Sequence, residues 1–222
     1  MGKVKVIEIQ CGIYERNNQV AAELRSELKN EGVCLINLMS SPGSGKTSTL
    51  LKTLAALKDE MKIGVMEADV DSDVDAEAVS ELGVDVLQLH TCGACHTDAE
   101  MVTQCVKELG VQGKDLLFLE NIGNLICTAG YDLGQNKNVL ILSVPEGHDK
   151  PLKYPGMFEV VDLILVNKID VMPYFDFDLE KFRQYVRKLN PKASILPISA
   201  KTGEGMQPWF EWLRKEVAQA KG

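Results

Sequence analysis

The segment Ser40-Ser41-Pro42-Gly43-Ser44-Gly45-Lys46-Thr47 constrains this chain more than any other. An apolar run, Val33 to Met39, precedes it, and a helical pattern, Thr47 to Leu57, follows. Strand, glycine-rich turn and helix in that order are the setting of a phosphate-binding loop. Gly43 and Gly45 let backbone N–H groups curl around a phosphate with no Cβ in the way, and the helix N-terminus adds positive dipole. Lys46 supplies a point charge for the β- and γ-phosphates, and the Thr47 hydroxyl suits Mg2+. Ser41, Ser44 and Ser48 complete the expected nucleotide contacts. Ser40 stands where the common pattern has Gly, but both flanks fit. The chain is expected to handle a nucleoside triphosphate.

The 222 residues suit one large α/β domain, with a short N-terminal arm and helix over about residues 1–31. Apolar runs recur at Val33–Met39, Ile63–Met66, Val84–Leu89, Leu116–Leu119, Val139–Val144, Leu163–Val166 and Ile195–Ile198. Several are apolar on consecutive residues, as in parallel strands covered on both faces. Helical patterns lie between most of them: Ser48–Leu57, Ala76–Leu82, Asp98–Leu109, Leu179–Leu189 and Met206–Val217. The alternation predicts a three-layer, doubly wound, mainly parallel α/β fold. Val4 to Ile9 reads as a short strand or extended arm, and Gln19 to Leu28 as a helix. Pro145 to Met157 reads as a long connection, a length that is often functional.

The net charge of -8 argues against a nucleic-acid surface, which would carry a basic stripe. No apolar run is long enough to span a bilayer, and the N-terminus does not read as a secretory signal. A reducing cytoplasm is expected, where clustered cysteines read as metal ligands or reactive thiols.

Strand Leu163–Val166 runs into Asn167-Lys168-Ile169-Asp170. The Asp170 carboxylate can accept from guanine N1–H and N2–H2 together, whereas adenine would leave it unpaired. Asn167 would buttress the loop and reach the base edge, and the Lys168 stem would lie along the ring. Ser199-Ala200-Lys201 follows the next strand and can bring a backbone N–H to guanine O6. These elements in this order resemble the GTPase superfamily. Glu120-Asn121-Ile122-Gly123 looks like a variant of its Asp-x-x-Gly, with the acid on the metal side and the Gly123 N–H sensing the γ-phosphate. Asp69 is the nearer candidate acid, with Asp75 a second among Asp71, Asp73 and Asp75. The expected catalytic set is Lys46, Thr47, Asp69, Glu120 and Gly123. No glutamine follows Gly123 directly and no arginine finger is obvious, so slow intrinsic hydrolysis is expected.

Cys92-Gly93-Ala94-Cys95-His96 lies just after strand Val84–Leu89, and Cys127 lies four residues after Gly123. Both strand ends should open on the same sheet edge, so Cys95, His96 and Cys127 could meet. Thiolate and imidazole suit Zn2+, Ni2+ or copper, not Mg2+. Cys92 stands open between ligand and bystander. Cys34 and Cys105 fall on apolar faces and read as core residues, and His90 and His148 as ordinary loop histidines.

With these pieces together the chain closely resembles the HypB-like GTPases that incorporate nickel during hydrogenase maturation. The resemblance runs from about Gln19 onward and rests on Ser40–Thr47, Cys95-His96 followed by Asp98-Ala99, Glu120 to Cys127, and Pro145-Glu146-Gly147-His148-Asp149-Lys150-Pro151-Leu152-Lys153-Tyr154-Pro155. The related urease-accessory GTPases lack the last segment. The resemblance implies GTP hydrolysis coupled to Ni2+ delivery into the hydrogenase large-subunit precursor. It also implies a homodimer whose interface holds Ni2+ or Zn2+ on Cys95, His96 and Cys127, and a small zinc- and nickel-binding accessory protein as partner. Two features depart from it. Only Cys11-Gly12 stands near the N-terminus, with no histidine-rich tract, so a separate nickel store is not expected. Thr128 replaces a frequent Pro. Two rivals are a P-loop kinase, which has no use for Asn167–Asp170, and a binding protein whose Zn2+ is purely structural.

Overall fold

The structure, a computed structural model, describes residues 9–69 and 74–222, with residues 9–13 and Val74 described by backbone alone. Seven strands form one sheet: β1 (Cys34–Ser40), β2 (Ile63–Asp69), β3 (Asp85–His90), β4 (Leu116–Glu120), β5 (Lys137–Ser143), β6 (Leu163–Asn167) and β7 (Ser194–Pro197). Their order is β3-β2-β4-β1-β5-β6-β7, and every pairing is parallel. The expectation of a mainly parallel sheet thus becomes an entirely parallel one. The reason lies in the connections, since each consecutive pair of strands is joined by a crossover long enough to return to the same edge.

Helices cover both faces. On one face α2 (Lys46–Leu57) and α8 (Met206–Lys221) bring Leu50, Leu54, Trp209, Leu213 and Val217 onto the sheet. Trp209 is fully buried and its indole N–H donates to Thr53 Oγ1 at 2.9 Å, which satisfies its one polar atom. On the other face α1 (Ile9–Glu31) and α4 (Ala99–Leu109) pack Leu24, Leu28, Val102, Cys105 and Val106. A further cluster joins β5 and β6 to α7 (Leu179–Leu189) through Phe158, Phe182 and Val186. The remaining helices are α3 (Val74–Ser80), α5 (Lys150–Lys153) and α6 (Pro155–Glu159).

Three expectations change. The first helix is 23 residues rather than the ten-residue stretch from Gln19, and it begins ahead of the Val20, Leu24 and Leu28 face. Ile9 opens that helix, and the rest of the proposed Val4–Ile9 strand lies outside the described residues. The Pro145–Met157 connection contains helical turns at Val144–Glu146, α5 and the start of α6. Prolines within the first two positions of each, Pro145, Pro151 and Pro155, pre-set the backbone for those turns.

The sheet order reverses at β1, with β4 on one side and β5 on the other. Ligands of open parallel sheets sit beyond the C-terminal strand ends at such a point. The register brings Leu38 beside Glu120, Glu67 beside Glu120, and Ser143 beside Asn167 along that edge.

Candidate functional site

β1 ends at Ser40 and α2 begins at Lys46, so the six-residue advance between them is the turn itself. Gly45 caps α2 with φ 91. A Cβ there would also collide with the Asn167 side-chain amide, so two independent constraints demand glycine. Gly123 packs on the turn from the other side: a Cβ on it would lie 3.1 Å from Pro42 N. The Glu120–Gly123 loop therefore rests directly on the phosphate-binding loop.

Lys46 forms an ion pair with Glu120, which is almost completely buried. Thr47 Oγ1 donates within the same cluster, lying 2.7 Å from Glu120 Oε1 and 2.9 Å from Asp75 Oδ2. A cleft of about 540 Å³ opens over this cluster, lined by residues 40–48, Asp69, Asp75, Ile122, Gly123 and Lys168. Asp71 and Asp73 lie outside the described residues.

Sequence reasoning passed over Glu67. It is buried beside Glu120 in the β2–β4 ladder. Burial first, and then the neighbouring Glu120 carboxylate, push its carboxyl up to about 10. The only advance signal was an acid two residues before Asp69 inside a strand, where alternation puts both on one face.

A second cavity, about 450 Å³, shares Gly45, Ser48 and Lys168 with the first and is lined by Asn167, Asp170, Val171, Ala200 and Lys201 as well. Ser199 Oγ donates to Asp170 Oδ1 at 2.7 Å. Asn167 is buried and fully engaged. Its Nδ2 donates to Ser44 O at 3.0 Å, and its Oδ1 accepts from Lys168 N at 2.8 Å and Ala200 N at 3.0 Å. It buttresses the loops as expected, but its amide is spent on protein groups rather than on a base edge. Lys168 takes a left-handed backbone, φ 64, and its ammonium donates to Gly43 O at 2.6 Å.

The Pro145–Pro155 segment touches the phosphate-binding loop. Glu146 Oε1 accepts from Ser143 N and Ser143 Oγ, both at 2.8 Å, and Oε2 accepts from Ser41 Oγ. Lys150 Nζ lies 3.7 Å from the same carboxylate. His148 accepts from Asp178 N at 3.3 Å and packs on Phe177.

Cys95 and Cys127 come together. The neighbouring Cys127 thiol is the main cause holding Cys95 above the ordinary thiol range. Cys95 Sγ lies 3.7 Å from His96 Nδ1. The His96 ring stacks on Tyr131 at 4.2 Å, and Tyr131 meets Tyr14 of α1 at 5.3 Å. Among the described residues no three His, Cys, Asp or Glu side chains converge as a metal cage. Cys92 is exposed in a left-handed turn, φ 51, with its thiol toward His90 O. Cys34 and Cys105 are buried core thiols, while nothing is described of the Cys11 side chain. The turn Cys127–Gly130 is held by Asn124, whose Oδ1 accepts from Cys127 N at 3.0 Å and whose carbonyl accepts from Thr128 Oγ1. Thr128 thus closes the turn where a proline was the expected residue.

Helix α1 clamps the two halves of this cluster. Asn17 Oδ1 accepts from Ala99 N at 2.9 Å, just beyond His96, and Asn17 Nδ2 donates to Asp132 O at 2.8 Å, just beyond Cys127. No local motif marks Asn17 or Tyr131, and Glu146 was noted only within the Pro145–Pro155 segment, with no sign that it reaches Ser41.

Residues 34–197 match the model of the CobW/HypB/UreG nucleotide-binding domain. Across 219 residues the chain is 42% identical to the hydrogenase maturation factor HypB of Rhizobium leguminosarum bv. viciae, covering 99% of this chain and 73% of that one. Among solved structures, HypB from Helicobacter pylori in complex with nickel superposes with a TM-score of 0.85 at 37% identity, over 92% of this chain and 96% of the other. The signal recognition particle receptor FtsY from Elizabethkingia anophelis shares the fold, with a TM-score of 0.56 at 16% identity, over 97% of this chain and 76% of that one.

Proposed function

The chain belongs to the CobW/HypB/UreG family, within its HypB hydrogenase-maturation branch, and from that premise we propose that it is a GTP-hydrolysing metallochaperone. It couples GTP binding and hydrolysis to insertion of nickel into the hydrogenase large-subunit precursor. It works as a single G domain, α1 included, in the cytoplasm, and among the described residues no helix is long and apolar enough to cross a membrane.

Residues 40–48 hold the phosphates. Asp170 selects guanine, Ser199 orients it through the 2.7 Å bond, and Lys168, Ala200 and Lys201 wall the base. Asn167 locks base and phosphate loops together. The oxygen donors of Thr47, Asp69, Asp75 and Glu120 fit Mg2+, a hard cation. Glu120 is almost completely buried and shares that position with the raised carboxyl of Glu67, so a cation there would meet one ionised and one protonated acid. When bound, Mg2+ neutralises charge on the β- and γ-phosphates. Lys46 pairs with Glu120 and exchanges that partner for phosphate oxygens. Slow turnover follows from the lack of a glutamine directly after Gly123 to orient an attacking water.

The observation that carries the reading is that one short loop touches both sites. Gly123 packs on Pro42 of the phosphate-binding turn, and Cys127, four residues on, meets Cys95. GTP that orders this loop moves Cys127 against Cys95 and His96, so nucleotide state sets metal affinity. Cargo Ni2+, or Zn2+ in its place, is held by soft donors. Because these three do not form a cage within one chain, the site is completed by a second copy in a nucleotide- or metal-dependent homodimer. The small accessory protein exchanges metal with it. Calorimetric titration of Ni2+ into GDP-loaded and GTP-analogue-loaded protein tests the gating. Different affinities support it, and identical ones, or a Cys127→Ala variant with full affinity in both states, refute it.

A further inference from the structure

A line of amides, partly exposed at Asn138 and buried from Asn37 onward, crosses the sheet beneath both sites and takes part in neither nucleotide cavity. Asn138 Nδ2 donates to Val160 O at 3.2 Å, and Asn138 Oδ1 accepts from Asn37 Nδ2 at 2.9 Å, directly across the β1–β5 ladder. Asn37 Oδ1 accepts from Asn121 Nδ2 at 3.2 Å. Asn121 Oδ1 then accepts from Ile122 N at 2.9 Å and from Thr97 Oγ1 at 3.3 Å. The Ile122 N–H fixes which end of the Asn121 amide is oxygen, and that choice sets the polarity of the whole line. Asn37, Thr97 and Asn121 are each at most 1% exposed.

The ends of this line matter. Asn121 directly follows Glu120 and opens the loop that runs to Gly123 and Cys127. Thr97 directly follows Cys95-His96. Apolar side chains would fill a sheet core at lower risk, since a buried hydroxyl left without a partner is costly. The Thr97 bond lies beyond the usual 2.5–3.0 Å of an O–H···O contact, so a small shift of Asn121 either tightens it or breaks it. That is a two-position contact between the nucleotide side and the metal loop, which is the physical requirement for coupling.

We propose that Thr97 and Asn121 are positioning residues whose hydrogen bond transmits the state of the Glu120–Gly123 loop to Cys95 and His96. The proposal rests on nucleotide-gated metal binding and names the contact that carries it. Cys127 rides on the moving loop itself. Thr97 instead sets where the opposite pair of donors stands, so both halves of the metal site respond together.

The test is nickel titration calorimetry on full-length wild type, Thr97→Val, Thr97→Ser and Cys127→Ala, each loaded with GDP or a non-hydrolysable GTP analogue. Wild type is expected to show an affinity ratio between the two states of roughly 5- to 150-fold, the usual span of allosteric coupling. Thr97→Val is expected to bring that ratio within about twofold of one, because the coupling contact is lost. Thr97→Ser keeps the hydroxyl and restores the ratio. If Cys127→Ala abolishes the ratio while Thr97→Val retains it, gating stands and the Thr97 link is refuted. A wild-type ratio of one removes the gating and the link together. Thermal melts accompany each variant, and Thr97→Ala, which removes the same hydroxyl, replaces the valine variant if that one misfolds.

Discussion

Replacing Asn167 with alanine should weaken the whole nucleotide site at once, and the size of the effect follows from what its amide satisfies. Four hydrogen bonds disappear, of which the one to Thr49 Oγ1, at 3.5 Å, is long and weak. Lys168 N sits at a partly exposed position where water can replace the lost acceptor, so it contributes little. Ala200 N and Ser44 O are held by the buried amide at 3.0 Å each. Leaving a buried donor or acceptor unpaired costs about 1–3 kcal/mol, so the pair gives about 4 kcal/mol. For a chain of this size each kcal/mol moves Tm by about 2–4 °C, which predicts a fall of about 8–16 °C in differential scanning calorimetry. Because the same amide joins the 199–201 loop to the phosphate turn, affinity for pyrophosphate should fall along with affinity for GDP. Calorimetric titration of both ligands reads this. A variant that melts within about 2 °C of wild type and loses affinity only for GDP would refute the reasoning and return Asn167 to a base-edge role.

Other expectations follow from the same geometry. Asp170→Asn turns an acceptor into a donor facing guanine N2–H2, so GTP affinity should drop roughly a hundredfold or more while xanthosine triphosphate, with a carbonyl at that position, gains; equal GTP binding by both proteins in a competition assay would count against it. Glu146→Ala removes the acceptor of Ser41 Oγ, Ser143 N and Ser143 Oγ, and urea unfolding should show a loss of about 1.5–3 kcal/mol, the worth of a charged hydrogen-bonded group. Burial, and then Glu216, push the Cys34 thiol from 9.0 up to about 12, and burial takes Cys105 up to about 11. Both should resist thiol reagents in the native protein while exposed Cys92 and Cys95 react, as mass spectrometry of labelled protein can read. Since these folded values lie above the unfolded one, the stability from keeping both thiols neutral is complete below pH 9.0 and is lost as pH rises toward about 11 and 12.

What could be read in the sequence was what is local. The phosphate-binding turn, Asn167–Asp170 and Ser199–Lys201 each sit between a strand and the element after it, so spacing alone puts them on one sheet edge. The strands were legible because residues such as Leu35, Ile36, Leu140 and Ile141 are apolar in succession. The contacts that were missed are long-range. Glu146 meets Ser41 from 105 positions away and Asn17 meets Ala99 from 82; neither leaves a periodic or spaced pattern. Asn167 holds Ala200 N and Ser44 O, contacts that one-dimensional spacing cannot show. The part of α1 just before Gln19 was missed because the contacts described there, Arg16 to Glu100 and Asn17 to Ala99, are polar and long-range.

The family match begins at residue 34, after α1 has ended. A fragment cut at that boundary would keep the residues lining both nucleotide cavities and discard Asn17, whose one side-chain amide holds the Cys95-His96 and Cys127 segments in one frame through its oxygen and its nitrogen. The nucleotide core and the thiol pair therefore do not share a module boundary. The spacing of the thiol pair is a property of core plus helix, and grafting the cysteines alone onto a related nucleotide-binding core would transplant the thiols without the frame that sets their spacing.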